Sequence, residues 1–451
     1  MRLTWVQPED LLRHELVTSR QVGRSVDAVD RIEARWRAAG GSVHPPVGGA
    51  SVDPAPAHLR TLAAELLDEL DALPTPGSDR EPDDLEALCA GWPADVGLPG
   101  PGPDLADRIH GAWLWRAVGC LLGKPVEKIP REGIREILEA TGRWPLSGYF
   151  TEVGLPPEVA ARWPWNRRSR ATSLAENING MPEDDDLNFA LLALRLLETR
   201  GRDFTSEDVA TCWLEWLPGG RVFTAERVAY RNLLLGLTPP ATATTRNPFR
   251  EWIGAQIRTD VYGWVNPGNP AAAAELAWRD ARISHVRNGI YGAMYAAGLA
   301  SAALVASDVD SVLDAAAALL PPDSRLASAV RFARRAAVGA TDFEAVVDAL
   351  YERYGDLHWV HVINNAALVT AALAWGQGDP VRSICAVVSG GWDTDSNGAT
   401  VGSVVGGLVG AQALPTEWTA PLANRLHTSL VGFDGIGFDA LAARTVALVG
   451  S

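Results

Sequence analysis

Two acidic clusters are the residues of this chain whose types and spacing are best suited to chemistry. Residues 183–186, in the segment "PEDDDLN", are four consecutive acids, and in "SGGWDTDSNG" Asp393 and Asp395 flank a threonine and precede Ser396. Carboxylate and hydroxyl oxygens are the ligands that Mg²⁺ and Mn²⁺ prefer. Neither cluster alone completes a cage for two metals, but together they could bind two ions at roughly 3.5–4 Å from each other.

Each cluster also has an interpretation that needs no metal. Acidic side chains in the first turn of a helix are stabilised by the helix dipole, and short polar side chains satisfy the free N–H groups there. Both clusters precede helical patterns, "LNFALLALRLLE" and "NGATVGSVVGGLVG". Four consecutive acids exceed what capping requires, and bound cations would relieve their mutual repulsion. Whether the two clusters meet in space is left open by the sequence.

The elements that must position these residues are predicted to be helices. From Leu105 onward, apolar residues recur at i, i+3 and i+4, as in "DLADRIHGAWLWRAVGCLLG" and "RLASAVRFARRAA", and strand-like alternation is scarce. Small-residue stretches such as "NGIYGAMYAAGLASAALVA" allow close approach of helix backbones. We therefore expect an all-α fold, a compact orthogonal bundle of many helices over residues 101–451. Residues 1–100 are predicted to form an N-terminal helical extension with Pro/Gly-rich loops.

Composition excludes several classes of function. The 451 residues carry a net charge of −15, which argues against stable binding to nucleic acid or to an anionic membrane. The four cysteines show no C-x-x-C spacing and predict free thiols in a reducing, cytoplasmic compartment. No apolar run approaches the eighteen or so residues of a membrane span. The chain also lacks G-x-x-x-x-G-K-[ST], H-E-x-x-H and G-x-S-x-G, which removes the best evidence for nucleotide-cradle, zincin and serine-hydrolase sites.

Three separated motifs resemble those of the ADP-ribosylglycohydrolase family, which includes dinitrogenase-reductase-activating glycohydrolase and the eukaryotic ADP-ribosyl-acceptor hydrolases. In the order of the family they are "GAWLWRAVGCLLGKPVE", "EDDD" and "GGWDTDSNGATVGSVVGGLVGA". The segment "ISHVRNGIYGAMYAAGLASAAL" is similar to a further helix of the family, and the resemblance extends roughly from Asp104 to Ala413.

The resemblance implies an all-α domain of the ADP-ribosylglycohydrolase type that holds two Mg²⁺ or Mn²⁺ ions and cleaves the bond between ADP-ribose and an acceptor. The substrate would be an ADP-ribosylated side chain, nucleic acid or small molecule. Carried over by position, Glu127, Asp185 and Asp393 would be catalytic, Glu127 through proton transfer. The implied metal ligands are Glu183, Asp184, Asp185, Asp393, Asp395 and Ser396.

Five further residues are predicted to bind substrate, each with a structural alternative. His285 matches a family histidine near the cleft but is equally suited to a structural hydrogen bond at a helix start. His361 and Asn364 would line the pocket or anchor a buried helix. Gly268, in "VNPGNP", would present its N–H to a diphosphate or simply form a turn. Trp392 would stack on a ring of ADP-ribose or pack in the core.

Three residues depart from the family pattern. Cys120 replaces an aspartate of the first motif, and Glu183 and Asp186 replace two threonines of the second. The acidic substitutions make the early cluster more negative, whereas Cys120 removes a carboxylate. Two hypotheses follow: a dimetal hydrolase, or a non-catalytic relative that binds ADP-ribose or has a structural role.

Overall fold

The computed structural model describes residues 2–77 and 79–450, and over these residues the fold is all-α, as predicted. No strand occurs in the described part of the chain. Its β-type pairing is limited to three isolated bridges, which join Met181 to Leu426, Trp252 to His361, and Leu426 to Ile436.

The first hundred residues form short helices separated by loops rich in proline and glycine. Their bounds are α1 (Pro8–Gln21), α2 (Val26–Ala38), α3 (Ala57–Asp71) and α4 (Leu85–Cys89).

The extension packs against the rest of the chain through buried polar and aromatic contacts. Glu15 of α1 is fully buried and accepts hydrogen bonds from Arg250 at 2.6 and 3.0 Å. The hydroxyl of Thr18 donates to the carbonyl of Pro248 at 2.9 Å, and the ring of Trp5 meets that of Phe249 edge-on at 5.4 Å.

The remaining helices form the body of the fold. They are α5 (Leu105–Gly123), α6 (Arg131–Ala140), α7 (Pro157–Arg162), α8 (Arg170–Ser173), α9 (Asp185–Arg200), α10 (Ser206–Trp216), α11 (Thr224–Leu234), α12 (Ala241–Thr244), α13 (Asp260–Trp264), α14 (Pro270–Ala281), α15 (Asn288–Ala303), α16 (Val309–Ala317), α17 (Arg325–Ala337), α18 (Phe343–Tyr354), α19 (Val362–Gly376), α20 (Pro380–Ser389), α21 (Thr394–Val409), α22 (Thr416–Thr419) and α23 (Phe438–Val446). Short 3₁₀ turns cover Lys124–Val126, Gly219–Arg221, Ile253–Arg258, Ala411–Ala413 and Ala420–Leu422.

Helices α5 and α21 cross in backbone contact, and this crossing positions the site. A Cβ atom added to Gly119 would lie 1.9 Å from the carbonyl oxygen of Gly398, and one added to Gly402 would lie 2.1 Å from that of Trp115. Glycine is required at such positions because any side chain would force the helices apart. The small residues of the sequence thus bring the end of α5 against the start of α21.

None of the helices in the two described ranges is both long enough and apolar enough to span a bilayer.

Candidate functional site

Three helix ends bring the predicted acidic residues together. The early cluster, residues 183–186, lies at the N-terminus of α9, the late cluster, residues 393–396, opens α21, and Glu127 follows the 3₁₀ turn at the end of α5. Asp185, Asp393 and Asp395 all lie close enough to Glu127 for its negative charge to raise the pKa of their carboxyl groups. The sequence could not show that the two clusters meet, and the structure places them in one site.

Asp184 combines a capping role with an ion pair. It is the N-cap of α9, and its Oδ1 accepts a hydrogen bond from the N–H of Asp186 at 2.9 Å. Its Oδ2 accepts a short hydrogen bond from the buried ammonium of Lys124, which also donates to the carbonyl of Glu183 at 3.1 Å. The capping interpretation of this cluster is therefore confirmed for Asp184, beside the carboxylate site.

A thiol and two carboxylates form a tight buried group beside this ion pair. The Sγ atom of Cys120 and carboxylate oxygens of Asp184 and Asp186 lie within 4.8 Å of one another, and all three residues are buried. Ser396 donates its hydroxyl to Oδ2 of Asp186 at 3.4 Å. Asp186 belongs to the acidic cluster of the sequence but not to the metal ligands that the resemblance implies, and its carboxylate lies next to the thiol that replaces the missing aspartate.

The late cluster is held by an asparagine on a neighbouring helix. Oδ1 of Asn365, in α19, accepts from the N–H of Asp393 at 3.2 Å and from the amide of Asn397 at 2.6 Å. Asp393 opens α21 without a side-chain capping bond, so its carboxylate is not used as a cap. Thr394 ties the same turn to α5 by donating to the carbonyl of Gly123 at 2.8 Å.

Burial and mutual repulsion disfavour the simultaneous ionisation of these carboxyl groups. Burial raises the pKa of Asp185 well above its usual range, and the negative charges of Asp184 and Asp395 raise it further. Burial and the charge of Glu127 raise the pKa of Asp395 to about 7. Asp184 is the exception, because Lys124 outweighs burial and lowers its pKa.

The pKa values of the neighbouring acids shift in the same direction. Burial and the charge of Asp395 raise the pKa of Asp393 well above its ordinary value. Burial and the charge of Asp184 do the same to Asp186. A positive charge bound among these side chains would favour their ionised forms.

Glu127 lies at the edge of the site and is better exposed than the four buried aspartates, Asp184, Asp186, Asp393 and Asp395. Its side chain is 22% exposed, and Oε1 lies 3.2 Å from the ammonium of Lys128. The amide of Asn166 donates a short hydrogen bond to Oε2, and the N–H of Asn166 is fixed by the carbonyl of Pro125 at 2.9 Å. A carboxylate held in this way, facing both solvent and the site, is suited to proton transfer.

The structure does not bring the carboxylate of Glu183 into the group. Oε2 of Glu183 lies 3.0 Å from the guanidinium of Arg221, and Oε1 accepts from the N–H of Ser429 at 3.2 Å. Only the backbone carbonyl of Glu183 faces Lys124. The placement gives no support to Glu183 as a metal ligand through its side chain.

His285 lies in a separate, closed network. It is fully buried, its Nδ1 is 2.8 Å from the hydroxyl of Ser284, and that hydroxyl accepts from Arg258 at 3.0 Å. Burial and the charge of Arg258 lower the pKa of His285 well below its usual value. This placement favours the structural hydrogen bond that the sequence left open.

Two other predicted substrate-binding residues anchor α19. His361 is the N-cap of that helix and accepts at Nδ1 from the N–H of Ile363 at 3.2 Å. Asn364 is fully buried and donates to the carbonyl of His358 at 3.2 Å. Both contacts match the anchoring alternative, whereas the adjacent Asn365 reaches Asp393.

Gly268 and Trp392 are likewise occupied by contacts within the protein. The N–H of Gly268 donates to the carbonyl of Ser301 at 3.1 Å, which leaves it unavailable to a diphosphate in this conformation. Trp392 is buried and its ring stacks on that of Tyr351 at 4.3 Å. One ring face of Trp392 is thus already covered.

A cavity elsewhere in the molecule contains none of the predicted site residues. Its volume is about 330 Å³, and it lies between the extension and the body of the fold. Arginine and acidic side chains alternate along its walls, including Arg24, Asp71, Glu81, Arg250 and Arg287. The acidic site is therefore identified by its side chains and does not coincide with this cavity.

The residues present fit a divalent cation. The donor set consists of carboxylate oxygens, and Oδ1 of Asp186 is buried without a hydrogen-bond partner among the described residues. Three positive side chains face this set from within the protein: Lys124 contacts Asp184, Arg116 lies 4.0 Å from Asp186, and Lys128 lies 3.2 Å from Glu127. Six carboxylates therefore exceed the nearby positive charge; they belong to Glu127, Asp184, Asp185, Asp186, Asp393 and Asp395.

The chain was compared with solved structures, with curated proteins and with models of protein families. A solved structure described as an ADP-ribosylglycohydrolase-related protein complex is 23% identical, covers 77% of this chain and 98% of its own, and superposes with a TM-score of 0.46. No curated protein matches the sequence. The sequence model of the ADP-ribosylglycohydrolase family matches residues 101–448. The chain therefore belongs to the ADP-ribosylglycohydrolase family.

Proposed function

We propose that this protein is a Mg²⁺- or Mn²⁺-dependent hydrolase that cleaves the glycosidic bond between ADP-ribose and an acceptor. The observation that carries the proposal is the convergence of Glu127, Asp185, Asp393 and Asp395 from three helix ends. Family membership supports a glycohydrolase activity, and the acceptor belongs to the class of ADP-ribosylated side chains, nucleic acids or small molecules.

The cation-binding residues in this proposal are those whose carboxylates face one another. Asp185, Asp393 and Asp395 would hold the cation, with Asp184, Asp186 and the hydroxyl of Ser396 next to them. A bound divalent cation would lower the pKa of a water and stabilise the charge that develops as the glycosidic bond breaks.

The protein groups would supply orientation and proton transfer. Asn365 fixes the backbone of Asp393 and so the direction of its carboxylate. Glu127 is oriented by Asn166 and Lys128 and is positioned to take a proton from the attacking water or to give one to the leaving acceptor. Asp185, which is only half-buried at the start of α9, lies where substrate can approach.

The test is release of ADP-ribose from a panel of substrates: ADP-ribosylated arginine, ADP-ribosylated serine and O-acetyl-ADP-ribose, each with Mg²⁺ or Mn²⁺. Asp393→Asn removes one buried ligand charge with little change in shape. Asp203→Asn changes an exposed carboxylate and is the matched control. We expect release by the native protein and by Asp203→Asn, and a loss of at least 100-fold in Asp393→Asn.

A second function is favoured by two observations. Cys120 stands where the family has an aspartate, and Asp184 is already paired with Lys124. Both features suit a relative that binds ADP-ribose without cleaving it. Tight binding of ADP-ribose with no release from any substrate would support this function and refute the hydrolase.

A further inference from the structure

The early half of the carboxylate site contains a built-in cation. The ammonium of Lys124 donates to Oδ2 of Asp184 and to the carbonyl of Glu183, and the side chain is only 8% exposed. Its charge also reaches Asp395 in the late cluster and Cys120 on α5. Lys124 therefore neutralises buried carboxylate charge, as a bound metal ion would.

Asp184 has little capacity left for a metal. Its Oδ1 accepts the capping hydrogen bond from Asp186 at 2.9 Å, while its Oδ2 accepts the hydrogen bond from Lys124. A divalent ion on either oxygen would have to share that oxygen with one of these bonds. It would also lie close to the ammonium, and burial of both groups leaves the repulsion between the two positive charges poorly screened.

The backbone fixes Lys124 in the site. A Cβ on the preceding Gly123 would lie 2.2 Å from the carbonyl oxygen of Thr394 and 2.4 Å from the backbone nitrogen of Asp395. Thr394 also donates its hydroxyl to the carbonyl of Gly123 at 2.8 Å. The chain at Lys124 is thus held directly against the start of α21, so a backbone shift cannot carry the ammonium away.

We infer that Lys124 stands in for one of two cations and that this protein binds a single divalent ion. This inference rests on the cation-dependent function proposed above and departs from the two ions that the resemblance implies. The single ion is held by Asp185, Asp393 and Asp395, which lie close to one another and make no hydrogen bond to Lys124.

The experiment is a count of Mn²⁺ ions per chain by calorimetric titration and by electron paramagnetic resonance. The wild type is expected to bind one ion with the spectrum of an isolated Mn²⁺. Lys124→Met, which keeps an unbranched side chain one atom shorter and removes its charge, is expected to bind two ions with a spin-coupled spectrum. Lys124→Arg keeps the positive charge and should bind one.

Two coupled ions in the wild type overturn the inference, as does a stoichiometry in Lys124→Met that equals that of the wild type. The wild-type count decides the matter alone if Lys124→Met fails to fold. The count is independent of turnover: a protein that binds one ion but releases no ADP-ribose keeps the inference and loses the proposed hydrolase. A protein that binds two ions and releases ADP-ribose refutes the single-ion inference and supports the proposed hydrolase.

Discussion

The crossing of α5 and α21 should tolerate an added methyl group at one glycine and not at another. In Gly119→Ala, the new Cβ would lie 1.9 Å from the carbonyl oxygen of Gly398 and 2.5 Å from its carbonyl carbon. Real Cβ contacts essentially never fall below 3.0 Å, and both obstructing atoms are backbone, so the helices must separate. In Gly407→Ala, in the same helix α21, the nearest atom is a methyl of Leu304 at 3.4 Å.

The magnitude follows from two opposing effects. Replacing a helical glycine by alanine stabilises a helix by about 1 kcal/mol. Overpacking a core by one carbon costs about 1–3 kcal/mol, and we take the upper end because no side chain can yield at Gly119. The free energy of unfolding should therefore fall by about 2 kcal/mol in Gly119→Ala and rise by up to about 1 kcal/mol in Gly407→Ala.

The assay is urea denaturation followed by circular dichroism at 222 nm, with both variants measured beside the wild type. Separation of the helices should also weaken Mn²⁺ binding in Gly119→Ala, because α5 leads into Lys124 and Glu127 while α21 opens with Asp393. If the two variants unfold within about 0.5 kcal/mol of each other, the backbone contact does not hold the site, and the reasoning is wrong.

Three further outcomes can be measured on the same preparations. Asp395→Asn, measured with a chelator present, should reduce the dependence of the free energy of unfolding on pH. In the wild type, folding raises the pKa of Asp395 from 3.8 to about 7. The stabilisation that its bound proton contributes is therefore complete below about pH 4 and is lost as the pH rises through 7. Denaturation at pH 5 and pH 8 gives the slope, and identical slopes for variant and wild type would refute it. Asn365→Leu should lower Mn²⁺ affinity by about 10-fold or more, since it leaves the N–H of Asp393 without its acceptor, and isothermal titration measures this loss. Asn364→Leu is its control, and equal affinities in the two variants would contradict the positioning role. Glu15→Gln should lower the free energy of unfolding by about 3–5 kcal/mol, because Arg24 and Arg250 would lose a buried partner, whereas Glu69→Gln, in an exposed pair with Arg35, should change it by less than about 1 kcal/mol. Denaturation midpoints that coincide for these two variants would count against it.

The helices were predictable where the apolar period was regular. The patterns at "DDLNFALLALRLLETR" and "RLASAVRFARRAA" coincide with α9 and α17, residue for residue. The small-residue helix was predicted to start at Asn397 but begins earlier, at Thr394. The spacing of apolar residues could not predict this earlier start, because residues 394–396 are all polar.

The site was predictable only in part, because sequence order does not give distance. The acids of α9 and α21 were identified by type and by resemblance, and the structure brings Asp184, Asp185, Asp393 and Asp395 together. Lys124 was missed although it carried a signal, since it is a lone charged side chain inside the apolar segment "GCLLGKPV". Such a residue must find a partner, and its partner lies 60 positions away.

The role of Asn365 in the site could not be predicted from the sequence either. It follows Asn364 in the sequence, and no local pattern distinguishes the two amides. One turn of α19 directs Asn364 to the carbonyl of His358 and Asn365 to the N–H of Asp393. Only the packing of α19 against α21 decides which of the neighbours supports the site.

The departures at Cys120 and Asp186 are best understood together. The thiol of Cys120 and the carboxylate of Asp186 lie in one buried group, so the acid lost from α5 is replaced by one gained on α9. Lys124, one turn beyond Cys120, adds a positive charge beside Asp184. A drifting, inactive relative has no reason to compensate a lost carboxylate at a contacting position. The two departures together therefore favour a remodelled cation site over a decayed one, and the Mn²⁺ count of the wild type tests this interpretation.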